Sequence, residues 1–245
     1  MPTELGQVEA IFRYPVKSMA GQRLDVADIG WHGIDGDRRL ALRRTQDQSG
    51  FPWLTATKLP ELLLFTPLRN ENGVQGDLAT HVRTPEGREL PVFGDELAAE
   101  IERRHGGPVQ MMHLRNGIFD DASISVIGTD TVGEIARLAG IDPDVRRFRP
   151  NIVVRPLRPH PLQEDEWVGG VLLFGEPGDG PCISVTMRDL RCSMVNFDPD
   201  SAHSTPRVIK SIVRTNQNNA GVYGTVLRTG RLAVGETVRF EKVGQ

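Results

Sequence analysis

The sequence predicts a mainly β protein with a few helices, an α+β chain folded as two modest units, residues 1–108 and 109–245. Three observations predict this. Short apolar alternations broken by glycine and proline, of which the chain has 26 and 17, read as antiparallel strands. Only two stretches carry helical periodicity with matching start and stop signals. A length of 245 residues suits two small units sharing an interface and is ample for a core.

In order, Val8 to Tyr14, Arg38 to Arg44, Leu62 to Leu68 and Ala79 to Thr84 are the strands expected of the first unit. Thr84-Pro-Glu-Gly-Arg88 reads as a hairpin turn, with Pro85 at a restricted corner and Gly87 where positive φ is easy. Residues 95 to 105 predict a helix: Asp95 can cap it, Leu97, Ala98 and Ile101 share a face, and Gly106 ends it. The second unit opens near Val109. Its helix is expected over Thr131 to Ala139, capped by Thr129 or Asp130 and stopped by Gly140. Strands are then expected at Asn151 to Val154, Val171 to Phe174, Ile183 to Thr186, Val222 to Leu227 and Val238 to Phe240, with 230–235 joining the last two as in a small barrel. Arg155 to Glu166, rich in proline and charge, reads as a surface loop that can also serve as a lid.

Composition excludes several classes. A net charge of −3, 38% hydrophobic and 25% charged residues describe neither a basic nucleic-acid binder nor a disordered acidic chain. Cys182 and Cys192 are too few for a disulfide framework, or for a zinc or iron–sulfur site built from cysteine. The first residues carry no basic, apolar leader, and no run of eighteen apolar residues occurs. The expectation is a cytoplasmic protein with no nucleic-acid partner and no membrane anchor.

Four short stretches carry possible chemistry. Cys192 stands beside Arg188 and Arg191, and a cysteine with cationic neighbours is a candidate nucleophile or soft-metal ligand; the plain alternative is a small buried hydrophobe. Tyr14-Pro-Val-Lys-Ser18 places a lysine and a hydroxyl after a strand, where they can hold a phosphate or simply end a strand in solvent. Asp35-Gly-Asp-Arg-Arg39 offers two arginines for bidentate oxyanion contacts, or an exposed charge cluster. Arg146-Arg-Phe-Arg-Pro-Asn151 puts three arginines and an asparagine before an apolar strand, either anion donors or a solvated strand end.

In this order and spacing the four stretches resemble the MOSC family, the domain named for the C-terminal part of molybdenum-cofactor sulfurase. Tyr14-Pro-Val-Lys-Ser18 and Gly36-Asp-Arg-Arg39 are similar to its N-terminal β-barrel domain. Phe148-Arg-Pro-Asn-Ile152, Arg191-Cys192, Asp198-Pro199 and Gly230 to Val238 are similar to the MOSC domain proper. The resemblance implies two packed β-barrel-like domains, the second a MOSC-type barrel. It also implies a molybdenum–molybdopterin cofactor whose metal is bound by Cys192, the catalytic ligand, and whose pterin and phosphate are held by Lys17, Ser18, Arg38, Ser123, Arg149, Asn151 and Arg191.

The relatives most alike in architecture, the mitochondrial amidoxime-reducing component and its bacterial relatives, imply a reductase of N-hydroxylated small molecules. With no haem, flavin or iron–sulfur signature in the chain, electrons are expected from a separate donor protein. The alternatives are a non-catalytic cofactor carrier or sulfur-transfer module using Cys192, and a barrel that has lost the cofactor and binds another anion. Leu190 stands where those reductases carry a second cysteine, Ser201-Ala202 where the family has Thr-Gly, and Thr57-Lys58 near a usual arginine. Asp189, Asp198 and His203 are near enough to Cys192 to be weighed as proton donors, against turn-capping or solvent-exposed roles.

Overall fold

The computed structural model of the chain describes residues 2–69, 78–176 and 178–242. Within them run β1 (Thr3–Arg13), β2 (Gln22–Leu24), β3 (Val26–Gly30), β4 (Gly33–Ile34), β5 (Leu40–Arg44), β6 (Thr66–Leu68), β7 (His81–Arg83), β8 (Glu89–Pro91), α1 (Asp95–His105) and β9 (Val109–His113). There follow β10 (Ile124–Gly128), α2 (Thr129–Ala139), β11 (Ile152–Pro156), β12 (Gly170–Phe174), β13 (Cys182–Leu190), α3 (Arg207–Asn216), β14 (Asn219–Arg228), β15 (Gly230–Ala233) and β16 (Thr237–Lys242). The protein is mainly β with three α-helices among the described residues.

Seven strands close a barrel in the order β11-β10-β14-β13-β12-β16-β1, with β1 pairing back onto β11. β10 and β11 are parallel, Val126 opposite Ile152, and α2 makes the crossover that a parallel pair requires. Inward β-branched and aliphatic side chains fill the barrel, among them Val8, Ile11, Val126, Ile152, Leu172, Ile183 and Val222. The barrel therefore takes its seventh strand from the N-terminus, and Ala27, Ile29 and Ile34 join the same core. A second core unites Val16, Leu40, Leu42, Leu62, Phe65, Val82, Leu97 and Ile101, from the β5–β9 pair, the β6-β7-β8 meander and α1. The chain crosses between the two cores at 14–18 and again at 34–40, and that crossing positions the site.

Several local expectations need correction. Leu62 to Leu68 is not one strand, because Pro60 starts a 3₁₀ turn over Pro60–Leu64 before β6 begins. Asp95 lies in the first turn of α1, after the cap residue Gly94. The cap residue of α2 is Gly128, so Thr129 and Asp130 fall inside the helix. Its free N–H group is satisfied from across the chain: Gly128 N donates to Glu164 Oε1 at 2.6 Å, and Thr131 Oγ1 to Oε2 at 2.7 Å. Glu164 is fully buried within a 3₁₀ turn, Gln163–Trp167, so the expected loop over Arg155 to Glu166 is strand at its start and a buried anchor at its end. The stretch 230–235 does link the last two long strands, and Gly230–Ala233 also pairs with β3. No expectation covered α3: its Val208, Ile209, Ile212 and Val213 have strand-like propensity, and the buried Val208–Ser211–Ile212 face overrides it. Among the described residues no helix is long and apolar enough to cross a membrane.

Candidate functional site

The site begins with one buried carboxylate. Asp37 accepts from Tyr14 N at 2.6 Å through Oδ1, and from Asn151 Nδ2 at 3.0 Å and Arg38 through Oδ2. Around it Arg38 N donates to Tyr14 O at 2.7 Å, and Lys17 N to Leu40 O at 2.8 Å, so residues 14–18 are strapped onto 38–40. Asn151 completes the junction with the barrel. Its Oδ1 accepts from Ser125 N at 3.1 Å and its Nδ2 also donates to Phe12 O at 3.2 Å.

Among the described residues seven non-glycine positions have left-handed φ, and three of them are Ser18 (68°), Arg38 (50°) and Arg149 (51°). Such conformations cost about 1–3 kcal/mol each and persist where surrounding bonds over-determine them. Three at one junction mark it as built for something besides chain reversal.

Those side chains line a cavity of about 340 Å³ between the two cores, together with Lys17, Asp189, Arg191, Cys192 and Tyr223. Arg149 stacks 4.2 Å from the Tyr14 ring centroid and Arg38 4.8 Å from it. Arg149 NH1 donates to Met19 O at 2.7 Å, whereas its buried NH2 has no hydrogen-bond partner. Burial pulls the Arg149 guanidinium down to about 10, and the neighbouring Arg38 adds to this. Arg191 donates through Nε to Ala220 O at 2.7 Å and through NH1 to Phe148 O at 2.8 Å. Its NH2 lies 2.7 Å from Asp189 Oδ2 but out of line for a hydrogen bond, and is likewise unpartnered. Buried donors without acceptors are costly. Both lie in one cavity, and Arg149, which has no carboxylate paired to it among the described residues, suits an anionic ligand.

Lys17 is 5% exposed, and burial lowers its ammonium. Its Nζ donates at 2.7 Å to Asp120, whose side chain is 60% exposed. Burial pushes that carboxyl up, but the charges of Lys17, Arg38 and Arg149 overbalance it and hold it below the usual range.

Six of the residues expected to bind, Lys17, Ser18, Arg38, Arg149, Arg191 and Cys192, meet at this cavity. Asn151 and Ser123 do not line it. Asn151 is spent on the junction, and the Ser123 carbonyl backs Gly33, where a Cβ would come within 2.7 Å of it. Cys192 is exposed, so of the two local readings the buried hydrophobe falls; Cys182 is the buried one. Arg188 turns away to Asp165, Asn216 and Gln217, leaving Arg191 as the flanking arginine at the cavity. Asp198 ties down the 198–201 turn and pairs with Arg147, and His203 is exposed. Asp189, by contrast, neither caps a turn nor meets solvent. It is 1% exposed and held inward where the β13–β14 register shifts between Arg188 and Leu190.

Sequence reasoning missed Asp37, Tyr14, Asp120 and Tyr223, whereas Arg147, one of the three arginines of its motif, does line the cavity. Asp37 and Tyr14 sat inside quoted motifs, but nothing local distinguishes a buried carboxylate from a surface one. Among the described residues no group of three His, Cys, Asp or Glu is arranged to hold a metal ion. A metal at Cys192 would therefore bring other ligands with it, as a dithiolene cofactor does. The lone soft sulfur donor and the orphaned arginine N–H groups fit such a cofactor.

The chain matches the family model described as MOSC domain over residues 101–239, and that described as MOSC N-terminal beta barrel domain over residues 5–114. No curated protein matches it. The YuaD protein from Bacillus subtilis superposes over 100% of both chains at TM-score 0.54 with 15% identity, a likeness of fold alone. YiiM from Geobacillus stearothermophilus covers 49% of this chain and 54% of its own at TM-score 0.38 and 18% identity. YiiM from Escherichia coli covers 50% and 56% at TM-score 0.36 and 13% identity. Neither YiiM fit is close enough to bear on the argument.

Proposed function

We propose, from the premise that this chain belongs to the MOSC family, that it binds a molybdenum–molybdopterin cofactor and reduces N-hydroxylated small molecules with electrons from a separate protein. The observation that carries the reading is the exposed Cys192 thiol at a cation-lined cavity whose Arg149 and Arg191 each keep an unpartnered buried N–H group. Lys17, Ser18, Arg38, Arg149 and Arg191 hold the pterin and its phosphate, and Cys192 holds the metal. Asn151 acts from behind, tying Asp37, Phe12 and Ser125 together at the junction that presents those side chains, and Ser123 lies away from the cavity.

When bound, the cofactor supplies two-electron oxygen-atom chemistry at its metal. The protein's share is to bind, orient and exclude water. Arg38 and Arg149 are pre-set by the Asp37 junction, so little ordering is left to be done on binding. Leu190, 63% exposed, and Phe51, 47% exposed, make an apolar rim for the body of a small substrate.

The test is metal content with turnover. Protein from a molybdenum-replete host should hold about one Mo per chain and reduce benzamidoxime with an artificial electron donor. Mo without turnover favours the carrier or sulfur-transfer reading, which the openness of the Cys192 thiol also suits. Absence of both Mo and pterin after reconstitution overturns the cofactor assignment.

A further inference from the structure

We infer that Asp189 is the proton donor of this cavity, with Ser125 and Arg191 as the groups that position it and set its readiness to part with a proton. The inference rests on the reductase reading above. Cleaving an N–O bond reductively, R–NH–OH + 2e⁻ + 2H⁺ → R–NH₂ + H₂O, takes two electrons from the donor protein and two protons from elsewhere. The hydroxyl oxygen needs one of those protons to leave as water.

Few groups at the cavity can give it. Arginines keep their protons. Tyr223 is driven far above neutrality by burial and by the nearby Asp189, and so holds its proton too tightly to exchange at ordinary pH. Lys17 is committed to Asp120, and Asp120 and Asp121 face the cavity from the segment after β9, where Asp120 is held ionised by Lys17.

Asp189 differs from all of these. Its Oδ2 accepts the Ser125 hydroxyl at 3.0 Å, and the Arg191 NH2 lies 2.7 Å from the same oxygen as an ion pair without a hydrogen bond. Its Oδ1 has no hydrogen-bond partner among the described residues, in a side chain that lines the cavity three positions before Cys192. One oxygen is thus anchored, on a buried side chain that lines the ligand space. Burial raises the carboxyl to about 6 against the pull of Arg191 and Ser125, and Asp120 and Asp121 add to the rise. A donor poised near the working pH both gives and regains a proton efficiently.

Two measurements test this. The first compares kcat and KM against pH in metal-loaded wild type, Asp189→Asn, Asp189→Glu and Ser125→Ala. Activity should fall as pH rises through Asp189 ionisation, Asp189→Asn should lose roughly 100-fold or more in kcat with KM little changed, and Asp189→Glu should recover part of it. Ser125→Ala removes a hydrogen bond that favours the ionised form, so the alkaline limb should move to higher pH. A merely structural Asp189 would not move that limb. The second follows the protonated-carboxyl stretch in infrared difference spectra of the unloaded protein between about pH 4.5 and 8. A titrating band absent from Asp189→Asn and displaced upward in Ser125→Ala is expected. Turnover by wild type with an unshifted pH profile in every variant overturns the proton-donor role, as does the lack of a titrating band. If loaded wild type does not reduce N-hydroxylated substrates, the reductase reading is what fails. A band at Asp189 that shifts when cofactor is loaded would still place an exchangeable proton at the cavity.

Discussion

Asp37→Asn tests the claim that one buried carboxylate organises the site. Asp37 is 0% exposed, and its two oxygens meet only donors: Tyr14 N at Oδ1, and Asn151 Nδ2 and the Arg38 guanidinium at Oδ2. Asparagine has nearly the same shape but one acceptor, so either rotamer turns an NH₂ toward a donor and leaves Arg38 without its counter-ion. Removing one partner of a buried ion pair costs about 3–5 kcal/mol. For a chain of this size each kcal/mol moves Tm by about 2–4 °C, so the substitution should lower Tm by roughly 6–20 °C. Calorimetry and near-ultraviolet circular dichroism read it, with the exposed Asp142→Asn as control at within about 0.5 kcal/mol. A second readout follows from geometry. Arg38 should lose its fixed orientation, so pterin retention should fall even below the melting range. A Tm within about 2 °C of wild type would refute the idea that Asp37 anchors the junction.

Cys192→Ser should leave Tm within about 1 °C, because the side chain is exposed, while changing the metal–sulfur shell seen by X-ray absorption. Cys182→Ser, buried at 6% exposure, should cost about 1–3 kcal/mol and leave that shell untouched; an unaltered shell in Cys192→Ser sinks the ligand assignment. Arg149→Ala should release pterin on gel filtration, and since Arg149 stacks on Tyr14 and donates to Met19 O it should also cost about 1–2 kcal/mol; full pterin retention would remove Arg149 from the anion grip. Asp189 bears on stability as well. Its folded value of about 6 lies above the ordinary carboxylate value, so the folded state holds the extra proton between the two. Its contribution is therefore full below about pH 4 and is lost as pH rises through about 6. Wild type minus Asp189→Asn unfolding free energies should fall by about 2–3 kcal/mol across that window, and a flat difference would show an unshifted carboxyl. Gly221→Ala should cost at least about 1 kcal/mol and displace Arg191, because at φ +80° its Cβ would sit 2.7 Å from Val126 O and 3.1 Å from Arg191 NH2; unchanged Tm and pterin retention would contradict that packing.

By itself the sequence determined the class of the fold, the span of α1, and the conformations of Gly87, Gly106 and Gly140, because period, turn chemistry and the left-handed preference of glycine act within a few residues. It also placed Lys17, Ser18, Arg38, Arg149, Arg191 and Cys192 in one set, through four short stretches whose order along the chain carries meaning that no single one does. It was misleading where a partner lay far off in the chain. Thr129 and Asp130 look like caps, yet Glu164 does the capping from a turn more than thirty residues away. Leu62 reads as strand until Pro60 tightens the turn before it.

Only the tertiary structure decided which charges are buried, since burial depends on what the other strands bring. Asp37, Asp189 and Asp198 are alike as letters. The first became the anchor of a junction between β1, β5 and β11, the second a buried carboxylate lining a cavity, the third a turn cap. The same closure brings the first strand into the barrel built mostly from the second half of the chain, setting Tyr14 and Lys17 beside Arg149. Long-range pairing of this kind is fixed by which faces can bury one another, and no local pattern encodes it.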